Sequence, residues 1–137
     1  MREIILDTGP FVALLDRSER SHHACMAFFQ GITDRLVTTE PVLTEVVYLL
    51  GPSFAMQKPA LELILRGGAE VVSQTPQALR RAMQLMEKYQ DVPMDFADAT
   101  LVALAEERKI SEIFTLDRRG FATYRIQSRK SFTIYPE

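Results

Sequence analysis

The stretch Glu3-Ile4-Ile5-Leu6-Asp7-Thr8-Gly9-Pro10 decides the fold. Its apolar run is strand-length and unbroken, the pattern of a buried strand, and it stops at an Asp-Thr-Gly-Pro turn that leads straight into a helix. Thr8 is placed as the cap of that helix, which runs through Phe11, Val12, Leu14 and Leu15 and stops near Asp16. A strand feeding directly into a helix opens a β-α unit, and the same grammar recurs along the chain.

Ser21 reads as the cap of a second helix ending near Gln30, with Gly31 closing it. Arg35–Thr38 is a short second strand, followed by a helix from Val42 to Leu50 with Pro41 at its start, where a missing amide hydrogen matters little. Gly51, Pro52 and Pro59 punctuate the next stretch, leaving a short helix over Leu61–Leu65 that ends at Gly67 and Gly68. Glu70–Ser73 is a third strand. Thr75 and Pro76 then open a helix whose core stripe is Ala78, Leu79, Ala82, Met83, Leu85, Met86 and Tyr89. From about Asp95 to Lys109 a helix is apolar on nearly every side, as a central, buried helix is. Glu112–Leu116 forms a fourth strand ending at Asp117, and Ser131–Tyr135 a last edge strand. Short strands alternating with helices predict an α/β fold, three layers α/β/α around a central, mainly parallel sheet of four to five short strands.

With 137 residues, 47% hydrophobic and 25% charged, residues 1–137 fit a single domain. No apolar run approaches the roughly 18 residues of a spanning helix, and the first residues lack the sections of a signal peptide, so a soluble, cytoplasmic protein with no membrane association is expected. The lone Cys25 has no internal partner, and its apolar neighbours suggest a packed thiol. A net charge of −2 gives no global attraction to nucleic acid. Locally, Arg118, Arg119, Arg125, Arg129 and Lys130 follow one another without an intervening acid, either as a phosphate-contacting edge or as solvated surface charge.

The candidate chemistry is acidic. Asp7 and Asp117 each follow a strand directly and so fall at the carboxyl ends of the sheet, where open α/β sheets bind ligands. Each could equally cap the next helix. Glu45 sits in an apolar helix with no oppositely charged residue three or four positions away, so its carboxylate must reach solvent, a distant cation or a metal. Asp98 lies one turn after Asp95 on the buried helix. Two acids on one helix face repel, which a divalent cation would relieve, and Asp95 is expected as a cap or supporting group. His22 and His23 are expected in surface or capping roles.

With Ile5-Leu6-Asp7-Thr8, Thr44-Glu45-Val46, Ala97-Asp98-Ala99 and Phe114-Thr115-Leu116-Asp117 followed by Gly120-Phe121, the chain resembles PIN-domain ribonucleases of the VapC toxin type over nearly its whole length. The resemblance implies that Asp7, Glu45, Asp98 and Asp117 converge as catalytic and metal-binding groups on Mg2+ or Mn2+, with RNA as substrate. It also gives Thr115 a hydroxyl position near the site, and Thr8 is counted with it as supporting. Arg118 and Arg119 are the candidate RNA contacts. An all-oxygen ligand set suits Mg2+ better than zinc. A small cognate antitoxin and a homodimer are further implications, and Phe28, Phe29 and Tyr48 suggest apolar surface for a partner.

Two other readings compete. A phosphoryl-transfer domain could use Asp7 as nucleophile, but the haloacid-dehalogenase-like pattern wants a second Asp where Gly9 stands. A non-catalytic PIN-like module binding RNA or protein would keep the fold without turnover.

Overall fold

The computed structural model describes residues 2–137. The elements in chain order are β1 (Glu3–Leu6), α1 (Thr8–Leu15), α2 (His22–Gly31), β2 (Arg35–Thr39), α3 (Glu40–Leu50), α4 (Phe54–Leu65), β3 (Glu70–Val72), α5 (Pro76–Lys88), α6 (Phe96–Arg108), β4 (Glu112–Phe114), α7 (Arg118–Thr123), β5 (Arg125–Ile126), β6 (Lys130–Ser131) and β7 (Thr133–Tyr135). Five strands form one sheet in the order β3-β2-β1-β4-β7, and every ladder in it is parallel. As its unbroken apolar run predicts, β1 is the central strand, with Ile4, Ile5 and Leu6 buried and Ile5 registered against both Val37 and Ile113.

Two groups of helices flank the sheet. One gathers α2, α3 and α4 around α1, and the other pairs α5 with α6. Apolar on nearly every side, α6 buries Ala97, Ala99 and the whole run Leu101–Ala105. The chain lays β2 and β3 on one side of β1, then returns to place β4 and β7 on the other. The connections leaving β1 and β4 therefore diverge, opening a crevice at their carboxyl ends.

The opposite end of the sheet is closed by ion pairs. Arg108 bridges Glu3 at 3.0 Å and Glu70 at 2.8 Å, while Arg2 reaches Asp34 at 3.2 Å and Glu112 at 3.3 Å. The Arg108 guanidinium holds the Glu70 carboxyl below its usual range.

Several local expectations are corrected. α4 starts at Phe54, because the Ser53 side chain accepts the Met56 N–H and nucleates the helix ahead of Pro59, which lies inside it. On α5 the core stripe narrows to Ala82, Leu85 and Tyr89 with Met86 at its edge, leaving Leu79 and Met83 exposed. The expected edge strand Ser131–Tyr135 is divided: Lys130–Ser131 pairs back on β5 as an antiparallel hairpin, and Thr133–Tyr135 joins β4. Phe132, buried between them and edge-on to Phe121 at 5.5 Å, is the pivot. Ser21 occupies its cap position without a side-chain bond. Phe28 is not surplus surface, since it packs on Phe114 and stacks on Tyr135, and Phe29 also lies against the core. Cys25 is buried, and burial pushes its thiol up to about 11, as suits a packed, unreactive group.

Candidate active site

Asp7 ends β1 at the crevice. It occupies the N-cap position of α1 yet makes no side-chain cap bond, so the capping reading fails for this residue. Its buried carboxylate instead accepts the Thr115 hydroxyl at 2.7 Å, and Thr115 Oγ1 in turn accepts the Asp117 N–H at 2.9 Å. One hydroxyl just beyond β4 thus ties the acid after β1 to the loop carrying Asp117. Burial raises the Asp7 carboxyl to about 6, against the opposing Thr115 hydrogen bond and with help from the charges of Asp117 and Glu45.

Asp117 does cap a helix, its Oδ1 accepting the Gly120 N–H at 3.0 Å at the start of α7. A Cβ at Gly120 would strike this carboxylate, so the residue must be glycine for the approach to occur. Asp95 and Asp98 form a reciprocal capping box on α6. Asp95 Oδ1 accepts the Asp98 N–H at 2.8 Å, and Asp98 Oδ2 accepts the Asp95 N–H at 3.3 Å. Asp98 Oδ2 also accepts the Tyr124 hydroxyl at 3.3 Å. Burial, followed by the charges of Asp95 and Asp7, raises the Asp98 carboxyl to about 8. The same surroundings push the Tyr124 phenol up.

Glu45 finds the partner its own helix lacks. Thr8 Oγ1 donates to Glu45 Oε1 at 2.6 Å across 37 residues, which corrects the expectation that Thr8 caps α1. A local motif gave way to a charge-assisted bond worth more than a neutral cap. Below the acids, Thr38 donates to the Leu6 carbonyl and Thr39 shares a hydrogen bond with Thr100, stitching β2 to β1 and α6.

The structure thus brings Asp7 within electrostatic reach of Glu45, Asp98 and Asp117, and Asp98 within reach of Asp95 and Asp117. Among the described residues no Lys, Arg or His forms a salt bridge with any of the five. Nor, among those residues, do three His, Cys, Asp or Glu side chains stand together as a group that could hold a metal ion. Their oxygens are held by Thr8, Thr115, Tyr124 and backbone amides instead. This open, oxygen-only set with unrelieved repulsion fits Mg2+ or Mn2+, ions that need few protein ligands and retain waters.

The basic segment is dispersed. Arg118 and Arg119 start α7 beside Asp117 and are exposed, Arg118 also donating to the Pro136 carbonyl. Arg125 turns onto the carbonyls of Ala122, Thr123 and Tyr124, and Arg129 and Lys130 line a pocket with Lys109, at the far end of α6. One continuous phosphate-binding edge is therefore not formed. His22 binds the Ala13 carbonyl at 2.7 Å, a structural role. Tyr124 and the Thr39–Thr100 pair escaped sequence reading; the only available signal was a hydroxyl, Thr100, inside an otherwise apolar helix.

A parallel α/β domain whose acids meet where the strand order reverses matches the PIN domain, whose family model aligns with residues 4–126, and the chain belongs to that family. It is 32% identical over 135 residues to Ribonuclease VapC26 of Mycobacterium tuberculosis, covering 97% of this chain and 100% of that protein. In fold it is similar to the Mycobacterium tuberculosis VapC20, a Sarcin-Ricin loop cleaving toxin, with a TM-score of 0.80 at 19% identity over 88% of this chain and 95% of that one. It is also similar to a chain of a toxin-antitoxin complex from Klebsiella pneumoniae, with a TM-score of 0.67 at 17% identity over 88% and 91%.

Proposed function

We propose that this protein is a metal-dependent endoribonuclease of the VapC toxin type, with Asp7, Asp98, Asp117 and Glu45 as its catalytic acids. The observation carrying the reading is the meeting of these acids at the switch point without a counter-cation, in a chain 32% identical over nearly its full length to a protein named as a ribonuclease. Asp7, Asp98 and Asp117 would hold Mg2+ or Mn2+, with Glu45 beside them. Such an ion polarises the scissile phosphate and lowers the pKa of an attacking water. Thr115 fixes the Asp7 carboxylate, Thr8 fixes Glu45, and Tyr124 restrains Asp98. Arg118 and Arg119, exposed next to Asp117, would meet RNA phosphates.

The purified protein should cleave RNA, and EDTA should stop it. Asp7→Asn and Asp98→Asn should each lower cleavage by at least roughly a hundredfold while circular dichroism stays unchanged. Full activity in both variants would sink the proposal.

One observation favours a non-catalytic PIN-like module, namely that among the described residues no three His, Cys, Asp or Glu side chains stand as a group that could hold a metal ion. Calorimetry separates the two readings: the ribonuclease binds Mn2+ or Mg2+ at millimolar concentration or below, and the module does not.

An antitoxin partner and a homodimer belong to the same proposal. Tyr48, Phe54 and Leu65, on α3 and α4, are 80%, 69% and 85% exposed, a concentration of apolar surface that a partner would cover. No helix among the described residues is long and apolar enough to cross a membrane.

A further inference from the structure

At the end of α6 away from the acids lies a recess of about 300 Å³, lined by Lys109, Arg129 and Lys130. Among the described residues none of these three cations forms a salt bridge. The one acid of the lining, Glu106, is already engaged: it accepts two Arg81 nitrogens, at 2.7 and 3.0 Å, and the Gln127 N–H at 2.8 Å. Ile110 and Ile126, both nearly buried, add apolar wall, and Ser111 adds a hydroxyl.

The backbone marks the same place. Among the described residues, those other than glycine with a positive φ are Lys109, Gln127 and Ser128, at 58°, 55° and 60°. Lys109 ends α6 in the left-handed conformation, where glycine is usual, and Gln127 and Ser128 turn the β5–β6 hairpin, where asparagine and glycine are usual. Side chains kept at such disfavoured positions cluster where function uses them. The turn is pinned at both residues, by Glu106 on the Gln127 N–H and by Lys88, whose Nζ donates to Ser128 Oγ at 3.0 Å. The backbone carrying Arg129 and Lys130 is thereby fixed beside the end of α6.

The recess and the acid crevice lie along one flank of that helix. Tyr124 meets its first turn at Asp98 and Gln127 meets its last at Glu106, so β5 runs alongside α6 between the two. From Asp98 to Lys109 the helix rises about 16 Å, at roughly 1.5 Å per residue. About five stacked nucleotides span that length at roughly 3.4 Å each, and fewer extended ones. A chain of net charge −2 with a crevice full of acids must draw RNA by cations placed elsewhere. We infer that the recess seats a backbone phosphate of the RNA strand, several nucleotides from the one that is cut. The inference rests on the ribonuclease reading and adds to it a second point of substrate attachment. Lys109, Arg129 and Lys130 neutralise the phosphate, and its ribose lies against Ile110 and Ile126. The volume, at the lower bound of small-ligand sites, suits one sugar-phosphate unit. Such a seat anchors the strand without reading its bases.

The test uses the whole chain and two RNA series sharing one cut: short substrates ending about two nucleotides from it on either side, and long ones reaching about eight beyond it. Lys109→Gln, Arg129→Gln and Lys130→Gln together should raise KM about tenfold on the long series, with kcat preserved and the short series unchanged. The slope of log KM against log salt should fall by about 0.7 on the long series, the share of one phosphate on a single strand. Lys109→Gly separates charge from folding, because glycine suits the left-handed cap: Tm should rise while KM on the long series still increases about threefold. As a charge-matched control, Arg17→Gln, Arg20→Gln and Lys58→Gln together remove exposed cations that also lack a salt bridge and should leave both series unchanged. An unchanged long-series KM in the first triple variant overturns the seat. An equal loss on short substrates, or in the control, overturns it too, since that is the mark of general charge. Inorganic phosphate that occupies the wild-type recess without competing against long RNA would assign it to a small anion instead. A wild-type chain that cleaves neither series strikes the ribonuclease reading itself, and the seat falls with it.

Discussion

The two ends of the sheet are both acidic, and they treat their acids in opposite ways. At the amino ends of the strands, Glu3, Glu70, Glu112 and Asp34 each face an arginine, and Glu70 ionises more readily than a free carboxyl. At the carboxyl ends, Asp7 and Asp98 face other acids, and both resist ionisation. Paired charges hold strands in place; unpaired charges at a crevice represent stability forgone, which is how functional sites are commonly built. The contrast separates a face that maintains the fold from one that awaits a ligand.

Short of removing an acid, the largest expected effect comes from loosening the acid end. Thr115→Val deletes the hydroxyl between Asp7 and Asp117 and should lower RNA cleavage roughly ten- to a hundredfold in steady-state assays, the usual cost of losing a partner that orients a metal ligand. Retention of full activity would show that Asp7 needs no such restraint.

A second effect is on stability against pH. Both carboxyls sit above their ordinary value of 3.8, Asp7 at about 6 and Asp98 at about 8, so the folded state favours their protonated forms. That contribution is complete below the ordinary value and disappears as pH rises through the shifted ones. In EDTA, Tm should therefore fall between about pH 4 and pH 8, and Mg2+ or Mn2+ should restore it at pH 8 but not at pH 5. A Tm that rises with pH across this window, without metal, would contradict the contrast between the two ends.

The smallest effect belongs to the paired end. Arg108→Met should cost about 1 kcal/mol in urea unfolding, because its ion pairs are partly exposed and screened, and should leave cleavage unchanged. A loss of activity would mean that the two ends are coupled through α6.

Much of this contrast is legible in the chain. Glu3–Leu6 announces the central strand because burial on both faces leaves an unbroken apolar run, and its end locates Asp7; β4 stops at Phe114 rather than Leu116, so Asp117 lies in the loop beyond it and not directly at the strand end as expected. The Asp95 cap of α6 is legible too, whereas the return bond from Asp98 that completes a capping box is not. What stays hidden is decided by contacts remote in sequence. Thr8 has a plausible local role as a cap, and only folding reveals Glu45 as its partner. The short α7 and the two-residue strands β5 and β6 are too brief for any periodicity, and the single strand expected at Ser131–Tyr135 divides because Phe132 is drawn into the core.

The bond from Thr115 to Asp7 spans 108 residues. A growing polypeptide therefore presents Asp7 and Glu45 long before it possesses the hydroxyl that clasps one of them or the acid that follows. Until synthesis has passed Asp117, the proposed centre is incomplete, and no partial chain short of that residue can assemble it.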